Sequence, residues 1–162
     1  MPDYPRHLSG FAYVGLHRYF LTFCTFERNS YFTEAPSVAV VARQFLRASA
    51  EQAIAITAYC FMPDHAHLLV EGTREDANLK SFVSRAKQYS GFHFRRETGM
   101  TLWQRYGHER VLRNDEDTAT AARYIINNPL RAGLVRDVMQ YPFWGSGMYS
   151  REALTDYVSQ AG

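Results

Sequence analysis

After Arg18, apolar, aromatic and β-branched residues fill positions 19–26. A period of two sorts them into Tyr19, Leu21, Phe23 and Thr25 on one face and Phe20, Thr22, Cys24 and Phe26 on the other. This predicts a strand buried on at least one side. Pro36 suits the first turn of a helix, and Val38, Val41, Phe45, Leu46 and Ala50 recur at helical spacing to about Gln52. Residues 53–62 return to strand. Met62, Pro63 and Asp64 make a tight connection into a second strand over 66–70, antiparallel to the first. The longest helical pattern covers 73–96. Leu79, Phe82, Val83, Ala86 and Ser90 share one of its faces, while Arg74, Arg85, Lys87, Arg95 and Arg96 lie off that face. Residues 97–99 end it, and a short strand is expected within 108–112. Asn114 or Asp115 is expected to cap a last regular helix, with Glu116 and Asp117 in the first turn, where the helix dipole favours anions. That helix runs to Asn127 or Asn128, and Pro129 stops it. Residues 1–17 read as irregular, and the pattern assigns no structure to a tail over 137–162.

The order strand, helix, strand, strand, helix, strand, helix fits an α+β fold. Its expected form is a ferredoxin-like (RRM-like) antiparallel sheet with helices packed mainly on one face. The 162 residues suit one domain, with a core over about 10–136. No internal repeat, low-complexity tract or linker divides the chain.

Composition changes this picture in three places. The 46% hydrophobic content excludes a disordered chain. Net charge is only +2, but sixteen of the eighteen basic residues are arginine, whose fork suits phosphate and stacks on flat rings. Aromatic residues make up 15%, enough to pack a core and leave rings for bases. Cys24 and Cys60 sit in apolar runs and read as reduced core thiols, with no pattern for a zinc cluster. The first residues lack an apolar leader core, and no stretch reaches the length of a membrane span. A cytoplasmic protein with no membrane partner and no small-molecule cofactor is expected.

The candidate chemistry begins with HAH at 65–67. Residues i and i+2 of a strand share a face, so His65 and His67 can aim at one point, as a divalent metal requires. A pair of ordinary histidines remains the alternative. Downstream, Tyr124 and Asn128 stand four apart on the last helix and share a face. Asn128 offers a carbonyl oxygen as a third ligand, and Tyr124 would hold a phenol close by. Alternatively, the tyrosine is a packing residue and the asparagine a cap. Tyr89 and Tyr106 are rival phenols ranked below Tyr124: Tyr89 lies on the long helix, 22 residues after His67, and Tyr106 falls in an irregular stretch.

FMPDHAHLLV resembles the HUH motif of single-tyrosine transposases, and YIINNPLRAGLV is similar to the tyrosine helix of the REP-associated tyrosine transposases. RYFLTF, LKSFVSRAKQYSGFHFRR, LWQRY and ERVLRNDED follow the same family order, so the resemblance spans roughly residues 5–150. It implies a Mg2+ or Mn2+ ion held by His65, His67 and Asn128, with Tyr124 as nucleophile. Imidazole ligands favour manganese of the two. The implied substrate is single-stranded DNA beside a REP-type hairpin, cleaved and rejoined through a 5′-phosphotyrosine. Lys87, Arg95, Arg96, Arg105, Arg110, Arg113 and Arg131 are the candidate DNA contacts. The family commonly has Asn where Asp64 stands and Asp where Glu109 stands. Asp64 could hydrogen-bond a ligand imidazole and fix its tautomer. The resemblance favours a monomer, although a swapped dimer occurs among related enzymes. Rival readings are a non-catalytic nucleic-acid-binding domain, a water-using metal hydrolase, and an HUH relaxase or replication-initiator nickase.

Overall fold

The structure is a computed structural model that describes residues 13–112 and 117–160. Strands β1 (Arg18–Cys24), β2 (Ile54–Met62), β3 (His65–Gly72), β4 (His108–Val111) and β5 (Trp144–Gly145) form one sheet in the order β4-β1-β3-β2-β5. Every pairing is antiparallel. The first four strands carry the ferredoxin-like order expected from the chain, and β5 extends it beyond β2.

The two long helices, α1 (Ala35–Glu51) and α2 (Leu79–Thr98), cover one face. Pro36 lies in the first turn of α1, where a missing backbone N–H costs nothing. Asn78 caps α2 by accepting from Ser81 N, and Gly99 closes it in the left-handed region at φ 75°. The long helix therefore begins six residues later than its pattern suggested. The stretch 73–78 is spent on a turn and the cap. Between these helices and the sheet lie Leu21, Phe23, Phe45, Ile56, Phe61, Leu68 and Phe82.

The second face has its own cover, made by α3 (Thr118–Ile126) and α5 (Arg151–Ser159). Asp117 is the cap of α3, accepting from Ala119 N, so it sits before the first turn rather than in it. Asn114, Asp115 and Glu116 lie outside the described residues. Pro129 does not merely end the helix. It lies in the first turn of a short α4 (Asn128–Arg131), where its fixed φ is suited to restart helical geometry. The tail supplies Tyr141, Trp144, Leu154 and Val158 to this second core.

A bulge in β2 decides which of its residues meet each helical layer. Ile56 pairs with Val70 and Ala58 with Leu69, leaving Thr57 as an extra residue. Ile54 and Ile56 face the α1/α2 core, whereas Ala58, Cys60 and Met62 face the α3/α5 core. The bulge inverts which parity faces which layer. It sets Cys60 opposite His67, and Met62 opposite His65, on the α3 side.

Candidate active site

His65 and His67 lie on β3 with Leu69, on the face covered by α3. Their ring centroids are 4.7 Å apart at 75°. The Nδ1 atom of each ring is spent on the protein. His65 Nδ1 lies 2.7 Å from Asp64 Oδ1, and His67 Nδ1 lies 2.9 Å from Thr22 Oγ1. Burial pushes the His67 imidazole down to about 3, helped by His65, Arg131 and Arg28, with only a backbone hydrogen bond at Leu21 opposing. Burial also lowers His65, against the pull of the Asp64 carboxylate. Both rings are therefore held neutral, the protonation state in which imidazole binds a metal.

Asp64 is itself anchored. Its Oδ2 accepts from Arg28 Nε at 3.0 Å, and Arg28 Nη2 lies 3.0 Å from the same oxygen. Burial alone would raise the Asp64 carboxyl, but hydrogen bonds from His65 and Arg28 carry it below its usual range. Glu27 and Arg28 both adopt left-handed backbone, at φ 52° and 55°. Such a pair of non-glycine residues costs energy and persists only where the surroundings hold it. Thr25 supplies part of that hold, its Oγ1 donating to the carbonyls of Asn29 and Asp64. The turn after β1 thus delivers a guanidinium to the carboxylate that orients His65.

Tyr124 lies on α3 and is 54% exposed. Its ring meets Phe20 edge-on at 6.1 Å, and Phe20 in turn lies 5.4 Å from the His67 ring. One aromatic residue on β1 therefore meets both His67 and Tyr124. The Arg110 guanidinium lies 5.8 Å from the same Phe20 ring, and Arg131 sits 3.8 Å over the ring of Tyr124.

Three features of the donor set fit a divalent cation. Two neutral imidazoles share one face, and each has Nδ1 engaged, which leaves Nε2 as the metal-binding nitrogen. The third feature is Asn128, where α3 passes into α4 and packs on β2. Its side-chain Nδ2 is buried without a hydrogen-bond partner. A buried amide left in this way costs roughly 1–3 kcal/mol. A cation at the amide oxygen, with the amide turned accordingly, would offset that cost. Among the described residues no cluster of three or more His, Cys, Asp or Glu gathers to hold a metal, so a cation here would need Asn128 beside the two histidines.

The other candidates scatter. Lys87, Arg95 and Arg96 ride on α2, the layer across the sheet from the histidines, and Arg105 lies in the segment before β4. Arg113 lies outside the described residues. Tyr89 is committed elsewhere, donating to Glu51 Oε2 at 2.6 Å with Arg47 stacked 3.8 Å from its ring. Phe20, Thr22 and Arg28 escaped the sequence reading. The alternation in β1 did put Phe20 and Thr22 on one face, but no local signal says that β3 lies beside it. Among the described residues no helix is long and apolar enough to cross a membrane.

Comparisons with known proteins point the same way. A family model described as "Transposase IS200 like" matches residues 13–128. A Haemophilus influenzae protein assigned as a REP-associated tyrosine transposase is 34% identical over 99 residues, which is 53% of this chain and 55% of that protein. The chain thus spans about half the length of this curated relative. Among solved structures, a REP-associated tyrosine transposase bound to a REP hairpin superposes with a TM-score of 0.73 at 22% identity. The alignment covers 100% of this chain and 92% of that one. A Deinococcus radiodurans protein, also assigned as a transposase, gives 0.52 at 22% identity over 75% of this chain and 96% of its own. At these identities the superpositions speak for the fold. With the family match running from before β1 to the end of the tyrosine helix, over well more than half its residues, the chain belongs to the IS200-like transposase family.

Proposed function

We propose that this chain is a single-stranded DNA endonuclease and strand transferase that cuts and rejoins DNA beside REP-type hairpins through a 5′-phosphotyrosine. One observation carries the reading: His67 and Tyr124 pack on the same ring, Phe20, with His65 beside them. A structurally similar protein was solved bound to a REP hairpin, which supports the choice of DNA.

A Mg2+ or Mn2+ ion held by His65, His67 and Asn128 would supply Lewis acidity at a non-bridging phosphate oxygen. The chain's own residues do the rest. The Tyr124 hydroxyl oxygen bonds to phosphorus as the bond from phosphorus to the 3′ oxygen breaks. The phenol proton passes to solvent, and the departing oxygen takes one up as a free 3′ hydroxyl. A second 3′ hydroxyl reverses the exchange and restores the phenol, so no ATP is consumed. Arg131, over the Tyr124 ring, would offset charge on the attacking oxygen. Arg110, beside Phe20, would meet the DNA backbone near the cut. Lys87, Arg95, Arg96 and Arg105 would meet DNA farther from the cut. Phe20 links His67 to Tyr124 within one chain, so the proposed cut needs no residue from a second copy.

The test is a denaturing gel of the protein with end-labelled hairpin DNA carrying a single-stranded flank, in Mn2+ and in EDTA. A labelled protein band is expected in Mn2+ only, and Tyr124→Phe should remove it while DNA is still bound. Product released without any protein adduct would instead mean attack by water. Binding with no cleavage under either condition would leave a binding domain.

A further inference from the structure

A groove of about 410 Å³ lies between α2 and the segment following it, outside the site described above. Phe92 forms one side and is 63% exposed. Trp103 forms another and is held rigidly: its Nε1 donates to Ser90 Oγ at 2.9 Å, and its backbone bridges Thr25. Lys87 and Arg95 flank the groove, Gln88 contributes an amide, and among the described residues no carboxylate lines it. Gly91 stands on the helix between Lys87 and Arg95, one turn from each. A Cβ added there would meet nothing within 4 Å. Glycine within a helix is destabilising relative to alanine, and here no neighbour demands it. What the missing side chain provides is open space between two cations and beside a ring.

The groove also has a defined relation to the histidines. Thr25 bridges Trp103, and the preceding residue, Cys24, pairs with His65. Both features therefore lie at the same end of β1, on opposite sides of the sheet edge. Arg105 and Tyr106, the latter 70% exposed, lie along the segment that leads from Trp103 to β4.

We propose that this groove binds an unpaired base of the DNA strand that leaves the catalytic site, the base stacking on Phe92 and its phosphates meeting Lys87 and Arg95. The inference rests on the single-stranded-DNA reading above and names where the flank is held. An exposed ring with flanking cations and no acidic lining suits single-stranded nucleic acid, because every base offers a flat face.

Binding of fluorescein-labelled oligodeoxythymidylate, about 12 nucleotides long as suits one small domain, can be followed by anisotropy in EDTA. Metal and catalysis then play no part. Phe92→Ala should weaken binding about tenfold or more, whereas Phe92→Trp should retain it and show quenched tryptophan emission on binding. Gly91→Leu should raise thermal stability, since leucine favours helix, yet weaken binding. Affinity for a blunt duplex should change little in all three. Wild-type affinity for the oligonucleotide in both Phe92→Ala and Gly91→Leu would overturn the proposal, as would an equal loss for the blunt duplex. Failure of the cleavage reading shows separately, as a missing or Tyr124-independent adduct.

Discussion

Arg131 grips Tyr124 twice: its guanidinium lies 3.8 Å over the ring, and its Nη2 donates to the Tyr124 carbonyl oxygen at 2.6 Å. The pair spans the break between α3 and α4, seven residues apart, so the restart of the helix at Pro129 is what brings them together. Arg131→Ala should slow single-turnover formation of the protein–DNA adduct about tenfold, the scale of one partly desolvated cation–π contact. Lysine should restore only part of the rate, because it lacks the planar fork that both stacks and reaches the carbonyl. An unchanged rate in the alanine variant would remove Arg131 from the chemistry.

The carboxylate behind His65 should matter for metal affinity rather than for folding. Asp64→Ala frees the Nδ1 atom that Asp64 now holds, and Mn2+ affinity should fall about tenfold or more. Asparagine should cost less, since its carbonyl oxygen can still accept from Nδ1. Arg28→Ala should give a smaller loss in the same direction, acting through Asp64. Electron paramagnetic resonance titration of Mn2+ without DNA reads this directly. Equal affinity in wild type and Asp64→Ala would contradict the orienting role.

Phe20 is the ring shared by His67 and Tyr124, and it is half-buried. Phe20→Ala should destabilise the fold by about 2 kcal/mol in urea, less than a fully buried phenylalanine would. It should slow adduct formation far more than this loss of stability explains. Leucine should recover the stability but not the rate. If leucine recovered both, Phe20 would be filling space and nothing more.

Trp144 tests whether the C-terminal stretch belongs to the core. It is 2% exposed, its Nε1 donates to the Val138 carbonyl oxygen at 2.8 Å, and Arg151 stacks 3.9 Å from its ring. Trp144→Ala should cost about 3–5 kcal/mol by urea denaturation. A loss below about 0.5 kcal/mol, the range of surface substitutions, would mean that β5 and α5 pack loosely.

What the chain alone determined is what period and spacing carry locally. The alternation over 18–26 and 53–62, the helical rows after Pro36 and over 73–96, and the tight turn at Pro63 were enough for the ferredoxin-like order. The shared face of His65 and His67 was legible for the same reason, since two residues apart on a strand is a local geometric fact. The tertiary structure decided everything that depends on neighbours distant in sequence. Nothing in β1 announces that Phe20 will stand between His67 and Tyr124, or that Thr22 will take the Nδ1 of His67. Those contacts follow from β1 lying beside β3, in the register that sets Thr22 opposite His67. The second helical layer was hidden because the bulge at Thr57 inverts the parity of β2 and so blurs its alternation. Arg28 reaches Asp64 only because two residues accept left-handed backbone, a cost that side-chain pattern does not record. A repeat of two or of 3.6 tells a side chain which way to face; the folded chain alone supplies what it will face.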